Sequence, residues 1–171
     1  MKATNVMLDS FDRVHEIVTD ILEGIDDGAL TARPACGTSG KPGNSIAWLI
    51  WHLARVEDAQ IADAFAAEQV WTADDFVTRF NLDLPKDDTG YGHGSDAVDK
   101  VRASAKNLSD YYDAVHVQTV KLLTPLADGD FDRIIDDSWD PAVTRGARLI
   151  STISDCLQHA GQAAYAKGLV G

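Results

Sequence analysis

The residues best suited to chemistry in this sequence are two histidines and an aspartate. His52 lies in the run SIAWLIWHLARVED, and Asp155 and His159 lie in ISDCLQHAGQAAYAKG. Positions four apart on a helix share a face, about 6 Å apart along the axis, so Asp155 and His159 can reach one ion. Two nitrogens and one oxygen leave a divalent ion short of its usual four or more ligands. Such an open position is typical of a catalytic metal site rather than a structural one.

The apolar neighbours of these residues indicate that they are at least partly buried. His52 stands between Trp51 and Leu53, so its imidazole is expected in or beside the core. Asp155 lies in an equally apolar stretch, where an unpaired carboxylate is costly to bury. Spacing alone leaves two interpretations open. Either the trio binds a metal, or Asp155 hydrogen-bonds to His159 or His52 in a polar group that specifies the core without any ion.

Other potentially reactive side chains carry weaker signals. His15 and His116 are interpreted as ordinary helical histidines, and His93, between two glycines, as a loop residue with only a weak signal for a substrate-facing role. Cys156 follows Asp155 by one residue, about 100° around the helix, and is expected to pack in the core. No disulfide is expected between Cys156 and Cys36, because their contexts differ and the cytoplasm is reducing.

Two arginines are candidates for binding an anionic substrate. Arg55 follows His52 by three residues, and Arg145 lies near the start of the last predicted helix. A solvated helix face is the ordinary place for such side chains. They are therefore retained only as weak candidates for the binding of a cosubstrate.

Composition excludes several classes of function. The chain has 171 residues, with 27 acidic against 15 basic side chains and a net charge of −12, which argues against nucleic acid and against an anionic membrane surface. No apolar run approaches the roughly 20 residues that span a bilayer. The first residues, MKATNVMLDSFDR, lack the apolar core of a signal peptide, so a cytoplasmic location is expected. The length predicts a single domain over residues 1–171.

Helical periodicity dominates the chain and predicts an all-α fold. Stretches rich in Gly, Pro and Asp separate four long amphipathic patterns, at residues 4–23, 45–67, 95–123 and from Thr144 to near the C terminus. The segment ADDFVTRF predicts one or two extra helical turns, LPKDDTGYGHGS predicts a loop, and no segment alternates as a strand does. We therefore expect a four-helix bundle, a fold in which metal sites are built from inward-facing side chains.

Two of these segments resemble the DinB-like superfamily of bacterial four-helix metalloproteins. The similar segments are NSIAWLIWHLARVED and DCLQHAGQAAYAKGL, and the similarity is strongest to the actinobacterial branch related to mycothiol-dependent maleylpyruvate isomerase. In this family a helical His and an acidic residue or His followed four later by His bind the metal. The resemblance therefore implies that His52, Asp155 and His159 are the ligands of zinc or another divalent ion.

The resemblance also implies a function. It suggests a thiol S-transferase that joins mycothiol, or a related low-molecular-weight thiol, to an electrophilic small molecule in detoxification. Gln162, seven residues after Asp155, is a weak candidate to orient a ligand. Family members often form homodimers, so a homodimer is a further expectation. The isomerase has an additional C-terminal domain that is not expected here, and a thiol-dependent isomerase remains an alternative, as does a non-catalytic, stress-related metal-binding bundle.

Overall fold

Four long helices form a bundle, which confirms the all-α prediction. The computed structural model describes residues 2–35 and 40–170. Around the bundle, α1 and α3 each pack against both α7 and α8. The helices are α1 (Ala3–Leu22), α2 (Asp27–Thr31), α3 (Ile46–Phe65), α4 (Val70–Ala73), α5 (Phe76–Phe80), α6 (Ser95–Val98), α7 (Ala105–Leu123) and α8 (Arg145–Val170).

Helix α3 is the most buried of the four long helices. The hydroxyl of Ser45 accepts a hydrogen bond from the backbone N–H of Trp48 and caps its first turn. Apolar residues cover most of its circumference, so it contacts α7 on one side and α8 on the other. The long shared surface of α3 and α8 brings His52 opposite the Asp155–His159 pair.

The third predicted helix is interrupted, so the expectation of one helix over 95–123 was wrong. Helix α6 ends at Val98, and α7 begins after Ser104, whose hydroxyl accepts from the backbone N–H of Asn107. Arg33 holds the intervening segment: its guanidinium donates to Ser95 and lies 3.1 Å from a carboxylate oxygen of Asp99. A local cap and a tertiary ion pair thus override a continuous helical pattern.

The connector before the last helix contains short strands that the sequence analysis missed. Strands β1 (Ile134–Asp136) and β2 (Val143–Thr144) pair antiparallel, and a 3₁₀ helix (Asp128–Asp132) precedes them. Strands of two or three residues are too short to show an alternating pattern. The hydroxyl of Thr144 accepts a hydrogen bond from the backbone N–H of Ala147 and caps α8.

Two other expectations concern the cysteines and the membrane. Cys156 is buried and is a free thiol, whereas Cys36 lies outside the described residues, so the expected absence of a disulfide between them stays a prediction. In the described part of the chain, no helix combines the length and apolarity needed to span a membrane.

Candidate metal site

The three predicted ligands converge between α3 and α8. One donor atom from each of His52, Asp155 and His159 lies within 4.8 Å of the other two, and among the described residues this is the group of His, Cys, Asp or Glu side chains that could hold a metal ion. Zinc with bonds of about 2.0–2.1 Å needs its ligands roughly 3.3–3.5 Å apart. The trio therefore needs only a small contraction to bind one ion.

The tautomer of His52 is selected by a backbone carbonyl, that of Thr89, in the loop that precedes α6. Its Nδ1–H donates to the carbonyl oxygen of Thr89, which can only accept, so the Nε2 lone pair is free. The ring stacks on Trp48 with centroids 4.6 Å apart and is largely buried. Burial lowers the pKa of His52, and the nearby His159 lowers it further. A neutral imidazole held by a carbonyl is the form in which histidine ligates metals.

His159 is oriented from the opposite side by its own helix. Its Nδ1 lies 3.1 Å from Oε1 of Gln162, which can accept the Nδ1–H, and its Nε2 lies 3.7 Å from Oδ1 of Asp155. The His159 ring meets that of His52 edge-on, with centroids 4.6 Å apart. Gln162 therefore lies where it can orient the His159 ring, and its role as an orienting residue stays a prediction.

Asp155 provides the clearest sign that the trio suits a cation. Its Oδ2 atom is buried and has no hydrogen-bond partner among the described residues. Its Oδ1 lies 3.7 Å from His159 Nε2, which is too long for a hydrogen bond. An unsatisfied buried carboxylate oxygen is costly, and a divalent ion would satisfy it. This arrangement disfavours the interpretation in which Asp155 and a histidine form a polar pair without an ion.

The loop over residues 85–94, here called the site loop, closes one side of the trio. Asp88 organises it: one carboxylate oxygen accepts from the backbone N–H of Gly90 and the other lies 2.9 Å from Nε2 of His93. Nδ1 of His93 accepts from the Trp48 indole N–H at 3.1 Å. These bonds hold Thr89 with its carbonyl facing His52.

Gly90 lets the site loop approach α3 closely. Its φ of +87° is a conformation that L residues with side chains rarely adopt, and an added Cβ would lie 2.8 Å from Nδ1 of His52 and 3.0 Å from the Trp51 ring. Gly92 has a similar φ of +75° but open space around it. Substituting Gly92 would therefore introduce backbone strain alone, whereas substituting Gly90 would introduce the same strain together with a steric clash.

We expect Gly90→Ala to cost more stability than Gly92→Ala. Both variants force an alanine into positive φ, at a cost of about 1–2 kcal/mol. Only Gly90→Ala also pushes the Thr89 carbonyl away from His52, so it should lower metal affinity as well. Urea denaturation and a metal titration of both variants measure the difference. Equal losses in the two variants would show that the loop does not depend on the close approach.

The arginine candidates are not where the sequence placed them. Arg55 is fully buried, and its guanidinium donates to the carboxylate of Asp58, the hydroxyl of Tyr111 and the carbonyl of Asp88. Arg145 is also buried and donates to the carbonyl of Ala64. Neither has the solvated position expected for contact with an anionic substrate. Arg55 instead ties the site loop to the core.

The remaining histidines and Cys156 lie outside the trio. His15 and His116 stack on each other between α1 and α7, with centroids 4.4 Å apart. His93 is held between Trp48 and Asp88, so it braces the site loop. Burial raises the pKa of the Cys156 thiol well above its usual value, with Glu57 adding to the effect. Cys156 packs in the core, as predicted.

A cavity of about 220 Å³ opens beside Asp155. It lies between α3, α8 and the site loop. Its lining includes Asp155, which belongs to the trio, and Thr89, whose carbonyl accepts from His52. Neither this cavity nor the Thr89 carbonyl could be predicted from the sequence, since a backbone acceptor leaves no residue-type signal. The triple Gly90, Gly92 and Gly94 was the detectable hint that the loop comes close to something. The residues that line the cavity are Val56, Ala59, Gln60, Thr89, Tyr91, Ser151, Thr152 and Asp155.

Comparison with known proteins agrees with this architecture. Residues 10–163 match the family model described as the DinB superfamily. A crystal structure of a conserved protein from Enterococcus faecalis superposes with a TM-score of 0.88 at 33% identity, covering 99% of this chain and 98% of that one. Its description assigns no activity. Among curated proteins, none matches the sequence significantly.

Proposed function

Because the chain belongs to the DinB superfamily, which includes metal-dependent enzymes, we propose that it is a metal-dependent thiol S-transferase. It would join a low-molecular-weight thiol to an electrophilic small molecule. The observation that carries the proposal is the convergence of His52, Asp155 and His159, with a buried carboxylate oxygen left unsatisfied. Zinc is our first choice of metal, because two imidazoles and one carboxylate suit it and leave a position open.

The side chains of the trio would each have a defined task. His52 presents its Nε2 because Thr89 holds Nδ1–H, and His159 presents its Nε2 because Gln162 lies against Nδ1. Asp155 adds one negative charge, so the ligand set offsets only part of the charge of a divalent cation. When bound, the ion would stabilise the cosubstrate as a thiolate, which is the nucleophilic form.

The reaction conserves atoms and electrons without any redox partner. The cosubstrate thiol loses its proton to solvent, and its sulfur forms a bond to an electrophilic carbon of the second substrate. The leaving group departs from that carbon with the bonding electron pair. The cavity beside Asp155 is the opening through which we expect a reactant to approach the trio, since Asp155 lines it.

Mycothiol is our proposed thiol, with zinc as the metal. The support is the likeness of the two ligand-bearing segments to the mycothiol-related branch. The net charge of −12 argues against nucleic acid as a partner, because the acidic chain would repel the phosphates. We propose small molecules as its partners.

Removal and return of the metal test the proposal. The protein is stripped with a chelator, reloaded with zinc, and assayed for conjugation of a chlorodinitrobenzene with mycothiol, bacillithiol, glutathione and cysteine. We expect turnover only in the reloaded protein, with mycothiol preferred. Release of chloride in step with conjugate checks the balance of the reaction.

Three outcomes would contradict the proposed function. Stoichiometric zinc without turnover on any thiol and several electrophiles would indicate a non-catalytic metal-binding bundle. Turnover that is unchanged in the stripped protein would exclude a role for the metal. Formation of an isomerised product with recovery of the free thiol would favour the thiol-dependent isomerase instead.

A further inference from the structure

The outward face of helix α8 carries a line of small and apolar residues, here called the α8 seam. From residue 150 to residue 168, exposed residues of these types recur alternately four and three positions apart, which is the heptad spacing of a coiled coil. A single exposed apolar side chain needs no explanation, but an aligned series is typical of a surface that another helix covers. The α8 seam consists of Ile150, Ser154, Leu157, Gly161, Ala164 and Gly168.

The absence of exposed charge sets this side of α8 apart from the other outer helices. Across residues 149–169, all of them described, the charged residues are Asp155 and Lys167, and both are only partly exposed. Lys167 donates to backbone carbonyls at the end of α1. The outer sides of α1 and α7 instead carry exposed charges such as Glu16 and Lys106. In a chain of net charge −12, an uncharged face is where a second acidic copy meets the least repulsion.

Gly161 has no explanation within a single copy of the chain. It lies inside the 26-residue helix α8, where glycine is less favourable than alanine. A Cβ added to Gly161 would meet no atom within 4 Å. By contrast, a Cβ added to Gly146, in the first turn of the same helix, would lie 3.2 Å from the carbonyl oxygen of Phe131. A second helix that approaches the backbone closely would account for the missing side chain at Gly161.

We propose that the α8 seam is the contact between two copies of this chain, packed as an antiparallel pair of α8 helices about a two-fold axis. The seam alternates between two sets of positions, one with Ser154 and Gly161 and the other with Ile150 and Leu157. Reversing one helix brings the small set of each copy against the large set of the other. The pairing is therefore self-complementary, as a two-fold contact requires.

The alternative arrangements fit this pattern less well. A parallel pair would place Gly161 against Gly161 and Leu157 against Leu157, which leaves gaps between layers of unequal thickness. The metal ligands Asp155 and His159 lie on the side of α8 that faces α3, so they remain within one copy. The contact is consequently independent of the trio and of the proposed reaction.

Sedimentation equilibrium of the full chain, with and without Gly161→Leu, tests the contact. We expect the wild type to have twice the mass of the 18.5 kDa chain. Gly161→Leu should be monomeric, because the added side chain occupies the space of the second helix. Circular dichroism should show no loss of helix in this variant, since the space around Gly161 is open within one copy.

A matched pair of charged variants tests the position of the contact. Leu157→Glu and Val117→Glu each add one negative charge at an exposed apolar position, the first in the α8 seam and the second on α7. We expect Leu157→Glu to raise the Kd of the dimer by at least about 30-fold, which corresponds to about 2 kcal/mol. Val117→Glu should leave the Kd unchanged, since it alters the net charge without touching the seam.

A photocrosslinker placed at Tyr165 tests the orientation of the two helices. Tyr165 is exposed beside the seam, so p-benzoylphenylalanine at this position keeps an aromatic ring there. Mixing labelled (¹⁵N) and unlabelled protein identifies crosslinks between copies by mass spectrometry. The antiparallel pair should give crosslinks to the N-terminal half of the other copy's α8, whereas a parallel pair gives them to the C-terminal half.

The measurements need no metal, thiol or electrophile, so the inference and the proposed function succeed or fail separately. A wild type that is monomeric at every concentration would overturn the inference, and would leave the seam to a helix of another protein. A dimer that Gly161→Leu and Leu157→Glu leave intact would place the contact elsewhere. Crosslinks confined to the C-terminal half of α8 would contradict the antiparallel packing.

Discussion

His52→Ala and His159→Ala are each expected to lower zinc affinity by more than about 100-fold, since loss of a residue that merely supports a ligand costs 10–100-fold. Both histidines contribute a ligand atom to the same cluster. A water molecule that took the place of either imidazole would not be held in position by the protein. Competition with a chromophoric chelator measures the affinity. Thiol conjugation should disappear in parallel if the metal activates the thiol.

A matched histidine on another face of the bundle provides the control. His116 is also half-buried, with Nε2 3.1 Å from a carboxylate oxygen of Asp12, but it lies between α1 and α7. His116→Ala should therefore retain zinc. Circular dichroism of every variant shows whether the bundle is folded. If His52→Ala and His116→Ala bind zinc equally well, the trio is not the metal site.

Asp155→Asn tests the ligand for which the sequence was least informative. The change keeps the shape of the side chain but removes its charge and replaces one oxygen with an amide nitrogen that cannot ligate. We expect a loss of zinc affinity comparable to that of the histidine variants. Retention of affinity would indicate that the Asp155 carboxylate is not a direct ligand.

The long helices and the pairing of Asp155 with His159 were predictable because both depend on local patterns. Helical periodicity marks the buried face of each helix, and the four-residue spacing of Asp155 and His159 places them on one face whatever lies opposite. That His52 faces this pair required either the resemblance to known metalloproteins or the structure. Periodicity alone does not tell which helices of a bundle are neighbours.

The support of the site was not predictable, because it depends on tertiary contacts of residues with no characteristic type. The Thr89 carbonyl that holds His52 belongs to the backbone, and any residue could supply it. Arg55 was expected on a solvated face because arginines are usually exposed. Its three-residue spacing to Asp58 and its approach to the Tyr111 hydroxyl explain how it can be buried.

A buried carboxylic acid next to α7 makes stability depend on pH. Glu57 is fully buried, and its carboxyl accepts hydrogen bonds from the hydroxyls of Tyr112 at 2.9 Å and Thr119 at 2.8 Å. Burial raises its pKa from 4.5 to about 7, against the opposing effect of these two hydrogen bonds. The folded protein therefore keeps a proton on Glu57 over a range in which the unfolded chain has lost it.

The sign of the effect follows from the number of bound protons. Well below pH 4.5, Glu57 is protonated in both the folded and the unfolded state, so its contribution to the free energy of unfolding does not change with pH. Between pH 4.5 and about pH 7 the folded state binds more protons, so the free energy of unfolding falls as pH rises. A shift of this size corresponds to a loss of about 3 kcal/mol. Burial also raises the pKa of Asp58, which adds a loss of the same sign.

Glu57→Gln is expected to remove the contribution of Glu57 while keeping its shape. The amide oxygen can accept from Thr119 and the amide N–H can donate to the oxygen of Tyr112, because both hydroxyls can rotate. Relative to wild type, the variant should gain about 3 kcal/mol in free energy of unfolding between pH 4.5 and pH 7. Comparison with wild type cancels the contributions of Asp58 and the histidines.

Urea denaturation at a series of pH values measures the gain, and Glu68→Gln, at an exposed position, controls for the loss of one charge. A difference between Glu57→Gln and wild type that does not change with pH would show that the buried carboxyl is ionised throughout this range, held so by the two hydroxyls.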